Sequence, residues 1–168
     1  MLILDSNVWV YVATAITTPV EIYSDYYGTV LKLFKDFREG NRRTAISAYM
    51  MEEVMDALER SKRVSGKGQN EALTDLFGLI RTCDYIEEDP AISNSANLTL
   101  QGVRQQPENQ MLSDILGIQA KDVPILTVAY EYRHQQPHIL TDDSDFAEFT
   151  PAERGMSNIT IEDAKLSW

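Results

Sequence analysis

Carboxylates in this chain fall at the ends of apolar runs, where a lone charge has little to gain. Leu2, Ile3 and Leu4 lead straight into Asp5. Asp122 precedes Ile125, Leu126 and Ala129 at i+3, i+4 and i+7, so it heads an apolar stripe rather than a solvent face. Asp142, Asp143 and Asp145 follow the run "PHIL" at 137–140, and Glu52 and Glu53 lie in the first turns of a helical pattern that starts at Ala48. Each has a bland local role available. Asp5 or Asp122 could cap a helix, Asp143 could shape a turn, and Glu52 or Glu53 could be first-turn acids favoured by the helix dipole. Together they suit a different chemistry. Carboxylates gathered in one pocket repel one another unless a cation sits among them, and oxygen-only ligands suit Mg²⁺ or Mn²⁺.

The elements that would gather them can be read from periodicity. "MLILD" is a short apolar strand. Val20, Tyr23, Tyr27, Val30, Leu31 and Phe34 recur at helical spacing, which predicts an amphipathic helix over roughly 20–39, stopped by Gly40 and Asn41. "RTAIS" (43–47) reads as a second strand. A helix follows over 48–60, with Met51, Val54, Met55 and Leu58 on one stripe. Residues 61–69 read as a polar loop, 70–81 as a helix, 83–88 as a third strand, and 91–118 as helical without clear definition. A helix is expected over 120–133, with Pro124 tolerable in its first turn. Residues 137–140 and 158–161 supply a fourth and a fifth strand. Strands alternating with helices predict one α/β domain over 1–168, a three-layer α/β/α sandwich with a mostly parallel central sheet. In such sheets ligands bind beyond the carboxyl ends of the strands, and that is where Asp5, Glu52, Glu53 and Asp142–Asp145 would lie.

Composition narrows the functions. At 168 residues the chain is long enough for one real core. A net charge of −11 excludes nucleic-acid binding by plain surface attraction, so any such contact must be local, helped by metal ions, or made in high salt. Arg outnumbers Lys within the acidic surplus, as a salt-adapted host would favour. Cys83 is the single cysteine, so no internal disulfide can form. No basic, apolar leader opens the sequence, and the apolar stretch from Val8 to Ile16 is too short and mixed to span a bilayer. A cytoplasmic protein without membrane contact is expected. No GxGxxG or P-loop is present, which argues against nucleotide cofactors, and "DSDF" lacks the glycine and length of an EF-hand loop. His134 and His138 lack metal-pair spacing and read as surface or turn residues.

Four segments, "ILDSNVWV", "SAYMMEEV", "KDVPILTVA" and "ILTDDSDF", occur in this order and nearly span the chain. In this the sequence resembles the PIN-domain ribonucleases, the fold of the toxin component in many prokaryotic toxin–antitoxin pairs. The resemblance implies that Asp5, Glu53, Asp122 and Asp143 form an acidic quartet holding Mg²⁺ or Mn²⁺, with Asp145 a frequent fifth member. Helical periodicity does not decide between Glu52 and Glu53. Glu53 is chosen because it directly precedes Val54, as the family's glutamate precedes an apolar residue. Residues 91–118 are longer and more polar than a minimal member needs. The resemblance further implies cleavage of single-stranded RNA to a 5′-phosphate and a 3′-hydroxyl, a cognate antitoxin as partner, and a homodimer.

Supporting roles follow. Ser6, Asn7, Thr141 and Ser144 are candidate donors to the carboxylates, or else they make local caps and turns. Arg42, Arg43, Arg60, Lys62, Arg63 and Lys67 are candidate contacts to RNA phosphates. Alternation along the fourth strand puts Thr141 and Asp143 on one side and Asp142 on the other, facing outward as a solvated turn residue. Two rival readings remain: a non-catalytic PIN-like module that only binds partners, and a receiver-type signalling domain using Asp89 and Lys165.

Overall fold

Leu2–Leu4 form strand β1, and all three residues are buried. A strand with no solvent-facing side belongs inside a sheet covered on both faces. The computed structural model has that arrangement; it describes residues 1–17, 30, 32–33, 35–61, 64, 66–92 and 98–164. After β1 come α1 (Ser6–Thr17), β2 (Thr44–Ile46), α2 (Ala48–Arg60), α3 (Gly66–Thr82) and β3 (Ile86–Glu88). The second half adds α4 (Leu100–Arg104), α5 (Pro107–Leu116), α6 (Val123–Glu131), β4 (His138–Thr141), α7 (Ser144–Ala147) and β5 (Thr160–Asp163). The five strands form one sheet in the order β3-β2-β1-β4-β5. Every pairing is parallel, with Leu2 opposite both Thr44 and His138. Helices flank this sheet, giving the expected α/β/α sandwich.

The core forms where the sheet meets the helices. Ile3, Leu4, Ile46, Ile139 and Leu140 are fully or almost fully buried, as are Trp9 and Val12 of α1 and Met50, Met51, Val54 and Leu58 of α2. Burying a side chain of this size contributes about 1.5–3 kcal/mol. The Trp9 and Phe37 rings stack at 6.3 Å between centroids. Of the amphipathic helix expected over 20–39, residues 30, 32–33 and 35–38 are helical, and the buried Val30, Leu33 and Phe37 face the core. Its other marker residues, Val20, Tyr23, Tyr27, Leu31 and Phe34, lie outside the described residues. Gly40 ends the segment with φ +72°, a conformation that glycine adopts without strain.

Several boundaries differ from expectation. Helix α3 starts at Gly66 rather than 70, because its first turn is polar and carries no apolar period. Strand β3 is confined to Ile86–Glu88, since Asp84 and Tyr85 form a turn. Residues 98–118 resolve into two short helices, the second started by Pro107 and ended by Gly117 at φ +72°. The helix expected over 120–133 is shorter, Val123–Glu131, with a 3₁₀ turn over Arg133–Gln135. The fifth strand lies two residues later than expected, at Thr160–Asp163.

Candidate active site

From β1 the chain moves outward to β2 and β3, then returns to the other side of β1 for β4 and β5. The strand order therefore reverses between β1 and β4, and the crevice beyond the carboxyl ends at such a reversal is where parallel sheets bind ligands. Asp5 follows β1 and Thr141 ends β4, so both stand at that crevice. A cleft of about 170 Å³ lies there, lined among others by Asp5, Ser6, Glu53, Arg104, Lys121 and Asp122.

Asp5 does not cap α1 through its carboxylate in the usual way. The Val8 and Trp9 N–H groups donate to its backbone carbonyl. The carboxylate instead accepts from the Ser6 N–H at 2.6 Å and the Thr141 hydroxyl at 2.5 Å. Burial pushes its pKa from 3.8 up to about 6; the Thr141 bond opposes the rise, and the Glu53 charge adds to it. Asp122 stands at the N-cap position of α6, yet its side chain caps nothing. It is 3% exposed. Burial lifts it from 3.8 to about 7, with Lys121 opposing and the charges of Asp5, Asp143 and Glu53 reinforcing. A buried carboxylate without a hydrogen bond among the described residues is costly to ionise.

Glu53 projects from α2, whose start is fixed by Ser47 capping the Met50 N–H. Its carboxylate accepts from Ser6 Oγ at 2.5 Å, Tyr49 Oη at 2.8 Å and Arg104 Nη2 at 2.6 Å. Glu52 is half-buried on the same helix and does not line the cleft. Asp143 caps α7, accepting from the Asp145 and Phe146 N–H groups at 3.0 and 3.4 Å. It also pairs with the Lys121 ammonium, a contact that holds its carboxyl below the usual value. The Thr141 hydroxyl accepts from the Asp143 N–H at 3.0 Å while donating to Asp5, so one side chain links two acids.

The neighbours of Asp143 divide clearly. Asp142 faces Tyr11, whose hydroxyl donates to it at 2.5 Å, and its N–H reaches Asn7 Oδ1 at 3.3 Å. It is thus a partly buried anchor between β4 and α1, not the solvated turn residue that strand alternation alone suggested. Asp145 and Ser144 are exposed on α7, and Asp145 meets Asp143 through its backbone N–H rather than its carboxylate. Asp89, the rival phospho-acceptor, follows the edge strand β3 and accepts from the Ala48 and Ala91 N–H groups at 3.3 and 2.8 Å. Lys165 lies outside the described residues.

Of the expected RNA contacts, Arg60 lines the acidic cleft, paired with Asp56. Arg42 and Arg43 do not: they precede β2 and so lie at the opposite, amino edge of the sheet. There they line a separate cleft of about 670 Å³, paired with Asp36 at 3.2 Å and Glu87 at 3.0 Å. Lys67 is exposed on α3 and pairs with Glu71 at 3.7 Å. Lys62 and Arg63 lie outside the described residues. Sequence reasoning missed Tyr49, Arg104 and Lys121. Tyr49 was findable at i−4 from Glu53 on one helix face, and Lys121 adjoins Asp122. Arg104 carries no such signal.

Whether a cation fits can be judged from the donors. All are carboxylate and hydroxyl oxygens, and two of the acids are buried with raised pKa values, which suits a small hard ion. Among the described residues, no three His, Cys, Asp or Glu side chains converge as a ready-made metal group. Lys121 and Arg104 occupy Asp143 and Glu53 instead. An ion would therefore have to share these two acids with the protein's own cations. No family model matches the chain, and no curated protein matches it.

Proposed function

We propose that this protein is a Mg²⁺- or Mn²⁺-dependent endoribonuclease that cleaves single-stranded RNA. The observation that carries this reading is the pair of buried acids at the sheet's reversal point, Asp5 and Asp122, both with raised pKa values; the nearest cation to Asp122 is Lys121, 4.0 Å away and shared with Asp143. Asp5, Glu53, Asp122 and Asp143 would hold the ion, and Asp145 would reach it only by leaving its exposed position. A bound ion would polarise the scissile phosphate and activate a water for in-line attack. The chain's own groups set the frame for that chemistry. Thr141 and Ser6 orient Asp5, and Ser6 and Tyr49 orient Glu53. The Asp143 cap fixes the start of α7 beside β4.

RNA cleavage by the purified protein should require Mg²⁺ or Mn²⁺, stop in EDTA, and be abolished by Asp5→Asn without loss of fold. Unchanged cleavage by Asp5→Asn would sink the mechanism. A cognate antitoxin and a homodimer accompany this reading on the strength of the PIN resemblance alone, and a cytoplasmic setting on that of the single cysteine. No helix among the described residues is long and apolar enough to cross a membrane. One observation favours the non-catalytic alternative, a PIN-like module that only binds partners: Lys121 and Arg104 already neutralise two of the four acids. Calorimetry decides between them, since that module would give no heat of Mn²⁺ binding.

A further inference from the structure

A guanidinium offers five N–H donors. Arg104 uses two of them: Nε donates to the Tyr49 hydroxyl at 2.8 Å and Nη2 to Glu53 at 2.6 Å. The Tyr49 ring lies beside it, 5.9 Å from the guanidinium carbon. The remaining three donors have no partner among the described residues, and the side chain is 33% exposed where it lines the acidic cleft. The cation is thus fixed on one edge and open on the other. Arg60, the other arginine of this cleft, differs: its side chain is 74% exposed and, among the described residues, bonds only within its own helix, to Asp56.

An open edge of a held guanidinium matches two phosphate oxygens at once, a geometry that a lysine cannot offer. The chain as a whole repels polyanions, with a net charge of −11. A substrate phosphate therefore needs a local, pre-positioned cation, and fixing the side chain in advance lowers the entropy lost on binding. We propose that Arg104 is a substrate-binding residue whose free N–H edge takes one backbone phosphate of single-stranded RNA while Glu53 and Tyr49 hold it in place. This rests on the ribonuclease reading. It also gives the polar segment between β3 and α6 a purpose: α4 exists to deliver Arg104 to the cleft.

The test measures binding without cleavage. Asp5→Asn protein is titrated against a fluorescein-labelled oligouridine at fixed Mg²⁺, and Kd is followed by anisotropy as KCl is raised. Each phosphate contact on a single strand contributes about 0.7 to the slope of log K against log salt. Adding Arg104→Ala should weaken binding and flatten the slope by about that amount. Arg104→Gln, whose amide can still bond Glu53 and Tyr49, should flatten it equally and covers the case in which the alanine variant does not fold. If Arg104 only holds Glu53 in place, both variants will keep the parent slope, and that result overturns the assignment while leaving the ribonuclease reading intact. If the Asp5→Asn protein with Arg104 present does not bind the oligouridine at all, the ribonuclease reading falls, and this inference with it.

Discussion

Replacing Asp5 by asparagine should stabilise the metal-free protein, by an amount that grows with pH. Burial lifts the Asp5 carboxyl from 3.8 to about 6 on folding. The folded chain therefore holds this proton more tightly than the unfolded chain, and ionising the group costs stability. The cost is absent below the unfolded value of 3.8, grows as pH climbs, and is complete above about 6. A rise of roughly two pKa units corresponds to about 3 kcal/mol. Asparagine has the same shape and no charge to desolvate. It can still accept the Ser6 N–H, but its amide disturbs the bond from Thr141, a loss on the order of 1 kcal/mol. The net gain at pH 8 is then about 2 kcal/mol, roughly 4–8 °C in melting temperature for a chain of this size. Near pH 4 the charge cost is nearly gone, because folded Asp5 is then largely protonated, and the disturbed Thr141 bond should leave the variant the less stable of the two by up to about 1 kcal/mol. Urea unfolding in EDTA at the two pH values measures the difference directly. Asp122 is coupled to Asp5, so the effects of Asp5→Asn and Asp122→Asn should not add. A stability difference between variant and parent that does not change with pH would refute the placement of Asp5 as a buried, under-compensated charge.

Glu53→Gln should abolish cleavage, whereas Glu52→Gln should leave it intact and alter stability by no more than about 0.5 kcal/mol, as single-turnover rates and urea unfolding will show. Asp143→Asn should lose most activity and some stability: asparagine caps a helix as well as aspartate does, but the ion pair with Lys121 is lost. Asp145→Asn should lose some activity and Asp142→Asn little, so equal losses from Asp142→Asn and Asp143→Asn would assign the wrong residue at the end of β4. Gly40→Ala should destabilise the fold by about 1–2 kcal/mol, because alanine at φ +72° is strained. Its Cβ would also run into the Tyr85 ring, so the side chain of Tyr85 must move.

The carboxylates at the end of apolar runs were legible because a strand's last residue and a helix's first are marked by the change of pattern itself. Asp5 and Asp122 are of this kind. The parallel sheet was legible from the alternation of elements, and the edge rule for such sheets then selected the cleft. The same rule, applied to the basic residues, would have removed Arg42 and Arg43: residues that precede a parallel strand lie at the edge away from the site. Arg104 was not legible. Its helix is five residues long and buries none of them, so it leaves no periodic trace. Its place is set by Tyr49 and Glu53, contacts 55 and 51 positions away in the chain. Glu52 and Glu53 could not be separated by periodicity, because neither belongs to the apolar stripe. Three-dimensional partners separate them.

The bond from Thr141 to Asp5 spans 136 positions. It joins the first strand of the sheet to the fourth, across the order reversal that creates the cleft. Contacts this distant form late, because the intervening chain must lose its freedom before the pairing rewards it. A chain emerging from the ribosome therefore carries Asp5 and Glu53 long before it carries a site. Until β4 has left the exit tunnel and docked beside β1, Asp5 lacks the hydroxyl that orients it, and Asp143 is not yet in place. For a protein that would cut RNA, this order of assembly has a protective effect. The message being translated is the nearest RNA to the growing chain, and its codons as far as β4 are read before the chain could attack it.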